Sequence, residues 1–167
     1  MKSLISVAAV VLCVFQIVFV DADLIDDTCR NTPEPAICSS SLKPFYKTHE
    51  PKSVRELATL LASTALVDKI YATDNVIKGL QKGSPGDKSL LNCSNIFADI
   101  KNRRIEQFRR SLINRDYDST MKELNNIVDV TEVCRRGIEL SRSVLAGKCT
   151  QVTDLAQDAV SVILQIP

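Results

Sequence analysis

The chain has no tryptophan, only five glycines and a single histidine among its 167 residues. So few glycines argue against a turn-rich β-sandwich, and the abundance of Leu, Ile, Val and Ala favours helices. Lys and Arg number 21 against 20 Asp and Glu, which leaves a net charge of +1. A nearly neutral chain lacks the strong positive field that draws nucleic acid or an anionic membrane surface. We therefore expect an all-α protein with no nucleic-acid partner.

Residues with catalytic potential are also scarce. His49 lies beside Glu50 and a proline before a long predicted helix, so a solvated turn residue is the simpler interpretation than a general base. One histidine cannot complete a zinc site when the cysteines are committed to disulfides. Asp26-Asp27, and Asp116 with Asp118, could be paired glycosidase carboxylates, but helix-start positions explain them better, since negative charge there opposes the macrodipole. We expect no catalytic residues, no metal and no cofactor.

The one long apolar run covers residues 4–20 and follows Met1-Lys2-Ser3. About 17 apolar residues can just span a bilayer, so a membrane anchor is one interpretation. A short positive start and the small residues around Ala22 instead predict a signal peptide at residues 1–22, cleaved after Ala22. Residues 23–167 then form one secreted domain with a sizeable core and no remaining membrane segment.

Five cysteines remain after this cleavage: Cys29, Cys38, Cys93, Cys134 and Cys149. In an oxidising compartment they predict a disulfide framework, although the sequence alone permits several pairings among five thiols. Antiparallel packing of two predicted helices can bring Cys93 and Cys134 together. Cys149 is then left over, either as a buried thiol in a monomer or as an intermolecular bridge in a dimer.

Hydrophobic periodicity predicts four long helices after a helical hairpin arm at residues 23–50. Their expected bounds are about Ser53–Lys82, Pro85–Asn114, Tyr117–Ser141 and Thr150–Ile166. Ser53 with Glu56 forms a capping box, Gly83 suits the position after a helix end, and Ser84-Pro85 suits the next helix start. The short connections indicate an up-down-up-down four-helix bundle at residues 51–167.

Each predicted helix indicates which of its faces packs inward. The second carries an apolar stripe of Leu90, Cys93, Phe97, Ile105, Phe108 and Leu112. The third carries a seam of Tyr117, Met121, Leu124, Val128, Thr131 and Ile138. The fourth carries Val152, Leu155, Ala159, Val162 and Ile166. The first helix is apolar nearly all round, so we expect it to contact several neighbours.

Polar residues without an evident core role mark a candidate partner-binding surface. Basic pairs occur at Arg103-Arg104, Arg109-Arg110 and Arg135-Arg136. A solvated helix face explains most of them, and an acidic protein or polysaccharide is the alternative partner. We take Arg103, Arg110, Arg115, Asp116 and Asp118 as the candidate contact residues. Asn92-Cys93-Ser94 matches an N-glycosylation acceptor, but its middle residue belongs to a predicted buried bridge, which argues against occupancy.

Three segments carry a resemblance to a known family. The arm from Thr28 to Pro33 leading to Cys38, the Asn92-Cys93 start of the second helix, and Cys134 late in the third resemble the plant invertase and pectin methylesterase inhibitors. The resemblance spans essentially the whole mature chain. It implies a secreted four-helix bundle with a hairpin arm, disulfides joining the first cysteine to the second and the third to the fourth, and no catalytic activity.

The resemblance further implies a partner, namely a carbohydrate-modifying enzyme of the apoplast, cell wall or vacuole whose active cleft is blocked. Invertase inhibitors of the family carry Pro-Lys-Phe between the second and third helices, where this chain has Tyr117-Asp118-Ser119. Asp116-Tyr117 is more similar to the esterase inhibitors, whereas Cys29 to Pro33 is more similar to the invertase inhibitors. Pectin methylesterase is thus the favoured target and acid invertase the alternative. A secreted helical module that binds a ligand or receptor without inhibiting anything is a second alternative.

Overall fold

A computed structural model describes residues 24–46, 51–138 and 142–167. The arm consists of a helix at residues 24–30 (α1) and α2, Pro35–Tyr46. The predicted signal peptide with its cleavage point at Ala22, and His49, lie outside the described residues. None of the helices in the described ranges is long and apolar enough to span a membrane.

Four helical rods, which are helices or joined helices acting as one, form an up-down-up-down bundle, as predicted. The first rod is α3 (Val54–Leu60), a π segment at Leu61–Leu66 and α4 (Val67–Gly83). The second is α5 (Lys88–Asp99), a π segment at Ile100–Arg104 and α6 (Ile105–Ile113). The third is α7 (Tyr117–Gly137) and the fourth is α8 (Ser143–Ile163).

The first rod begins at Ser53, but its cap differs from the expected capping box. Ser53 Oγ accepts a hydrogen bond from the N–H of Glu56 at 3.3 Å, as a cap should. The Glu56 carboxylate reaches back to the N–H of Lys52 at 2.7 Å and not to that of Ser53. The cap therefore still satisfies two backbone donors, one residue further back than the motif predicts.

The predicted start of the second helix at Pro85 was wrong. Ser84, Pro85 and Gly86 form the turn, and Asp87 is the N-cap. Its Oδ1 accepts from the N–H groups of Ser89 at 2.8 Å and Leu90 at 3.0 Å. A carboxylate that bonds two free helix donors outcompetes a serine hydroxyl, so the helix begins three residues later than predicted.

Two further bounds were wrong. The third helix was expected to reach Ser141, but α7 ends at Gly137 because the backbone of Ile138 is extended, with ψ of 135°. The fourth was expected to begin at Thr150, but α8 begins at Ser143. Leu145 and Cys149 are both buried and continue the inward face of α8 by one more turn and a half, although Gly147 and Lys148 interrupt the apolar pattern between them.

The inward face of α7 also differs from the predicted seam. Leu124 and Thr131 are buried as expected, but Tyr117, Met121 and Val128 are only half-buried at its edges. The residues that face the core are Thr120, Leu124, Ile127, Thr131 and Cys134. Steps of four and three still hold, and the small Thr120 and Thr131 allow a closer approach than the aromatic and long side chains beside them.

The core of the second rod matches its predicted stripe, with every named apolar residue buried. The π segment adds buried Ile100 to that stripe and bridges the long gap between Phe97 and Ile105. The π segment of the first rod contacts α2 and α8 as well as its own rod, which accounts for apolar residues around its whole circumference. Arg109 of α6 donates from Nη2 to the Ser63 carbonyl of that segment and so links the two rods.

The arm is closed by its own disulfide and is fixed to the bundle by polar contacts with Asp158 of α8 and with Gln165, just after α8. Cys29 is joined to Cys38, with their Cα atoms 5.6 Å apart. Asp158 Oδ1 accepts from the N–H of Glu34 at 3.0 Å, just before α2 begins. Gln165 Nε2 donates to the carbonyl of Thr28 at 3.1 Å. These contacts hold the arm against the C-terminal half of the fourth rod.

Candidate partner-binding surface

The connection between α6 and α7 is a tight Schellman turn. Helix α6 ends at Ile113, with Asn114 as its C-cap at φ −77° and ψ 0°. The N–H of Arg115 donates to the Leu112 carbonyl at 3.1 Å, and that of Asp116 donates to the Ser111 carbonyl at 2.9 Å. This bond pair defines the motif and places Arg115 at the position that normally holds glycine.

Arg115 has a φ of 60°, and no other non-glycine residue in the described part of the chain has a positive φ. A side chain in this left-handed conformation costs about 1 kcal/mol relative to glycine. Arg115 is exposed, and its guanidinium has no hydrogen bond or ion pair within the described ranges. The Arg115 side chain therefore makes no contact within the described residues that would offset the cost of its left-handed backbone.

Asp116 is the N-cap of α7, so it closes one helix and opens the next. Its Oδ1 accepts from the N–H of Ser119 at 3.1 Å. Hydrogen bonds from the Ser119 side chain and then from its backbone lower the pKa of this carboxyl. The helix-start position expected for Asp116 is thus confirmed. Asp118 lies in the first turn of α7 and is exposed. It does not cap the helix, and it has no hydrogen bond or ion pair within the described ranges.

A polar depression of about 290 Å³ borders the turn between α6 and α7. It is lined by Gln107, Arg110, Ser111, Ser119, Lys122 and Glu123. On the other side of the turn, Arg55 of α3 donates from Nε to the Tyr117 hydroxyl at 2.9 Å. We call Arg110, Arg115, Asp116, Asp118 and Lys122 together the turn surface. Its charges are mixed and its backbone is fixed by two capped helices.

The structure does not bring Arg103 to this surface. Arg103 lies twelve residues before Arg115, which is about 18 Å along a helix. Its guanidinium is committed to Asp99, with bonds of 2.8 and 3.0 Å. The hydrogen bonds from Arg103 are the largest cause that lowers the pKa of the Asp99 carboxyl, and Arg104 acts in the same direction. Arg110 does lie at the turn, and its 71% exposed side chain pairs with Glu106 at 3.0 Å.

Of the remaining arginines in the basic pairs, some are largely buried between helices and others lie on the surface. Arg104 is only 13% exposed and bonds both Asp99 and Glu123. Arg109 is half-buried, with one buried nitrogen, Nε, that has no partner in the described part. Arg135 pairs with Glu132 at 2.8 Å on the surface of α7. Arg104 and Arg109 are therefore structural links between rods and not a free basic face.

The opposite end of the bundle is held by a disulfide. Cys93 near the start of α5 is joined to Cys134 near the end of α7, with Cα atoms 4.9 Å apart. Beside them, the N-cap Asp87 accepts from Arg142 Nη2 at 2.6 Å. Hydrogen bonds from Leu90 and then Arg142 lower the pKa of Asp87. We call this end, from the α4–α5 turn to Arg142, the stapled end.

Cys149 of α8 is a buried free thiol. Its sulfur lies 3.7 Å from Cys134 Sγ, and burial raises its pKa to about 12. A protonated thiol inside the core is a poor nucleophile. An intermolecular bridge through Cys149 would require the stapled end to open, so the folded chain does not present it for dimer formation.

Neither a metal site nor an enclosed ligand cavity stands out in the described residues. No group of three or more His, Cys, Asp and Glu side chains within them could hold a metal ion. A depression of about 540 Å³ lies between α2 and α4, beside Pro44, Ala65 and Lys69, and it opens to solvent.

A stapled helical bundle with a pinned arm and an exposed rigid turn defines a class of binding proteins. The family model for plant invertase and pectin methylesterase inhibitors matches residues 23–166. The chain belongs to this family, and its membership supports an enzyme inhibitor of that kind, directed at a carbohydrate-active enzyme. Proteins of this family are typically extracellular, and the two disulfides fit a secreted protein.

The fold is similar to that of a solved inhibitor structure. It is the crystal structure of mutant form A of a pectin methylesterase inhibitor from Arabidopsis, with a TM-score of 0.68 and 15% sequence identity. The match covers 83% of this chain and 94% of that chain. At this identity the likeness concerns the fold alone. A search of curated proteins found no match.

Sequence reasoning missed several residues on and beside the turn surface. Lys122 and Ser119 border the depression beside α6, and Arg55 comes from a different rod. Ser119 could have been found, because it stands three residues after the cap Asp116, where a capped helix donates its N–H. Arg55 could not have been found, since its contact joins residues 62 apart in sequence.

Proposed function

We propose that this protein is secreted and inhibits a pectin methylesterase by placing the turn surface over the enzyme's active cleft. Signal cleavage after Ala22 would leave residues 23–167 as the active inhibitor, with the arm and the bundle acting as one body. The protein contributes no catalytic group in this account. It acts by excluding substrate from a cleft that belongs to its partner.

The observation that carries the proposal is Arg115. An arginine occupies a left-handed position where glycine is easier, and its charged end is free in solvent. Such strain is retained when the side chain has a use outside the fold, and an interface with another protein is one such use. Arginine is among the residues that most often carry the energy of such interfaces.

Rigidity supports the same proposal. Two backbone bonds of the Schellman turn and the Asp116 cap fix Arg115 before any partner arrives. A surface that is already ordered loses little conformational freedom on binding, so more of its contact energy appears as affinity. The mixed charges of the turn surface favour a specific docked orientation over adhesion to any acidic polymer.

Pectin methylesterase is preferred to acid invertase because of the turn sequence. The Pro-Lys-Phe segment characteristic of invertase inhibitors is replaced by Tyr117-Asp118-Ser119. Tyr117 is tied to Arg55, and Ser119 is tied to the Asp116 cap, so these residues form a helix start. A helix start cannot also extend as a wedge into a narrow sugar pocket.

The test is inhibition by the purified mature protein. Residual activity of a plant pectin methylesterase and of an acid invertase is measured at mildly acidic pH with rising amounts of protein. We expect loss of the esterase activity at near-stoichiometric amounts and no loss of invertase activity. Loss of invertase activity alone would move the target to the alternative enzyme. If neither activity falls at molar excess, the inhibitor proposal is wrong and a non-inhibitory binding module replaces it.

A further inference from the structure

We propose that Asn92 is an N-glycosylation site of the secreted protein. The site goes beyond the inhibitor proposal and requires only that the chain enter the secretory pathway. Asn92-Cys93-Ser94 matches the acceptor sequence, and it is the one such match in the 167 residues. The buried disulfide at its middle residue argued against occupancy at first sight, but the folded geometry and the order of synthesis both remove that objection.

The folded geometry leaves room for a glycan. Asn92 lies in α5, close to the Asp87 cap, and is exposed, whereas Cys93 is fully buried in its disulfide. Neighbouring residues on a helix point about 100° apart, so the disulfide faces the core while the asparagine faces solvent. The Asn92 side-chain amide makes no hydrogen bond within the described ranges, so a sugar on its nitrogen breaks no contact.

The side chain before the site adds a reason for a glycan there. Leu91, directly before Asn92, is 55% exposed. A glycan attached to the next residue would cover part of this apolar surface. Shielding of exposed apolar groups lowers the risk of association between copies of the protein.

The order of synthesis leaves time for the modification. Cys93 pairs with Cys134, 41 residues further along the chain. At about 5 to 20 residues per second, those residues take roughly 2 to 8 s to emerge. During that interval Cys93 has no Cys134 to pair with and α5 has no α7 to pack against. Asn92 and Ser94 can therefore enter the glycosylating enzyme as an extended segment.

The site also lies far from the turn surface. Asn92 is 21 residues before the end of α6, which places it about 30 Å from the α6–α7 turn along the second rod. A glycan at the stapled end would leave Arg115 accessible. The modification and the proposed enzyme contact are thus compatible on one molecule.

The test is expression of the full chain in plant cells and intact-mass measurement of the protein collected from the medium. We expect a species heavier by one N-glycan, which peptide N-glycosidase A removes while converting Asn92 to aspartate. The matched control is Ser94→Ala, which retains Asn92 and all cysteines and should be secreted without the glycan. Only unmodified protein in the medium, or a glycan that persists in Ser94→Ala, would overturn the proposal.

A second variant tests the timing argument. Cys134→Ser, made in a Cys149→Ser background so that Cys149 cannot replace it, removes the disulfide partner of Cys93. Its glycosylated fraction is measured in both the medium and the cell-retained pool. This covers the case in which the variant is not exported. If modification precedes pairing, the fraction equals that of the parent protein. A higher fraction in Cys134→Ser would mean that the disulfide competes with the enzyme, which contradicts the order proposed here.

Discussion

The two ends of the bundle are built in different ways. At the stapled end, a turn containing Pro85 and Gly86 leads to the Asp87 cap, which also pairs with Arg142. The Cys93–Cys134 disulfide closes the same end. At the other end, the turn holds a strained Arg115 with a free guanidinium. Asp158, in the C-terminal half of α8, is a fully buried carboxyl. Among the described residues its Oδ2 has no partner at hydrogen-bond distance, although the nearby Thr32 hydroxyl lowers its pKa.

The two ends differ in what they contribute to the free energy of folding. The Asp87 cap, its pair with Arg142 and the Cys93–Cys134 disulfide contribute to the free energy of folding. The turn end retains two elements that oppose folding, a left-handed arginine and a buried acid. Unfavourable elements persist when the rest of the fold compensates for them and they serve another purpose. This comparison supports the proposal that the partner-binding surface lies at the turn end.

The largest expected effect comes from opening the stapled end. Cys149 is first replaced by serine, so that no free thiol remains in the core after the disulfide is removed. Replacing Cys93 and Cys134 by serine in that background should lower the free energy of unfolding by about 4 kcal/mol, the loop entropy of a 41-residue separation. Urea denaturation measures this loss. A loss below about 1 kcal/mol would show that the stapled end does not dominate stability.

A smaller effect concerns Asp158 and pH. Burial is the main cause that raises the pKa of this carboxyl to about 6, and the acids facing it, Asp154 and Glu34, act in the same direction. Because the folded pKa exceeds the unfolded value, the folded state gains stability as pH falls. Between pH 7 and 5 the gain should be about 1 kcal/mol.

Asp158→Asn should remove that gain while still accepting the hydrogen bond from Glu34 N–H. Urea denaturation at pH 5 and pH 7 measures the difference between the two conditions. The control is Asp129→Asn, an exposed carboxylate of α7, which should retain the dependence. If Asp158→Asn keeps the pH dependence of the parent protein, Asp158 is not its source, and this carboxyl is not an element that opposes folding at neutral pH.

A third effect tests the helix cap at the stapled end. Asp87→Ala removes hydrogen bonds to Ser89 and Leu90 and leaves Arg142 without its carboxylate. The melting temperature should fall by a few degrees at pH 7. The lowered pKa of Asp87 means that its contribution is present above pH 3.8 and is lost as pH falls through the folded value. Differential scanning calorimetry should accordingly find a smaller difference at pH 3.

Much of the fold could be predicted from periodicity, and the failures have physical reasons. The stripe from Leu90 to Leu112 was found because each of its residues is apolar and buried. The π segments were missed, since a single extra residue per turn changes the hydrogen bonds but hardly alters the apolar pattern. The early start of α8 was missed because Gly147 and Lys148 interrupt the stripe between Leu145 and Cys149.

The candidate site was only partly predictable. Arg115, Asp116 and Asp118 could be found because they are polar residues in a short connection. The left-handed backbone of Arg115 could not, since that conformation is normally indicated by glycine, which is absent there. Arg103 was included because of its charge, and its commitment to Asp99 depends on rotamers that a sequence does not specify.

The most direct test of the central claim is Arg115→Gly, measured for stability and for inhibition in parallel. Glycine suits the left-handed position, so we expect the free energy of unfolding to rise by up to about 1 kcal/mol. Inhibition of pectin methylesterase should weaken by about tenfold or more, because the exposed guanidinium is lost. The control Arg136→Ala, an exposed arginine at the stapled end, should inhibit as the parent protein does. A glycine variant that inhibits as strongly as the parent would contradict the claim that the turn surface makes the contact.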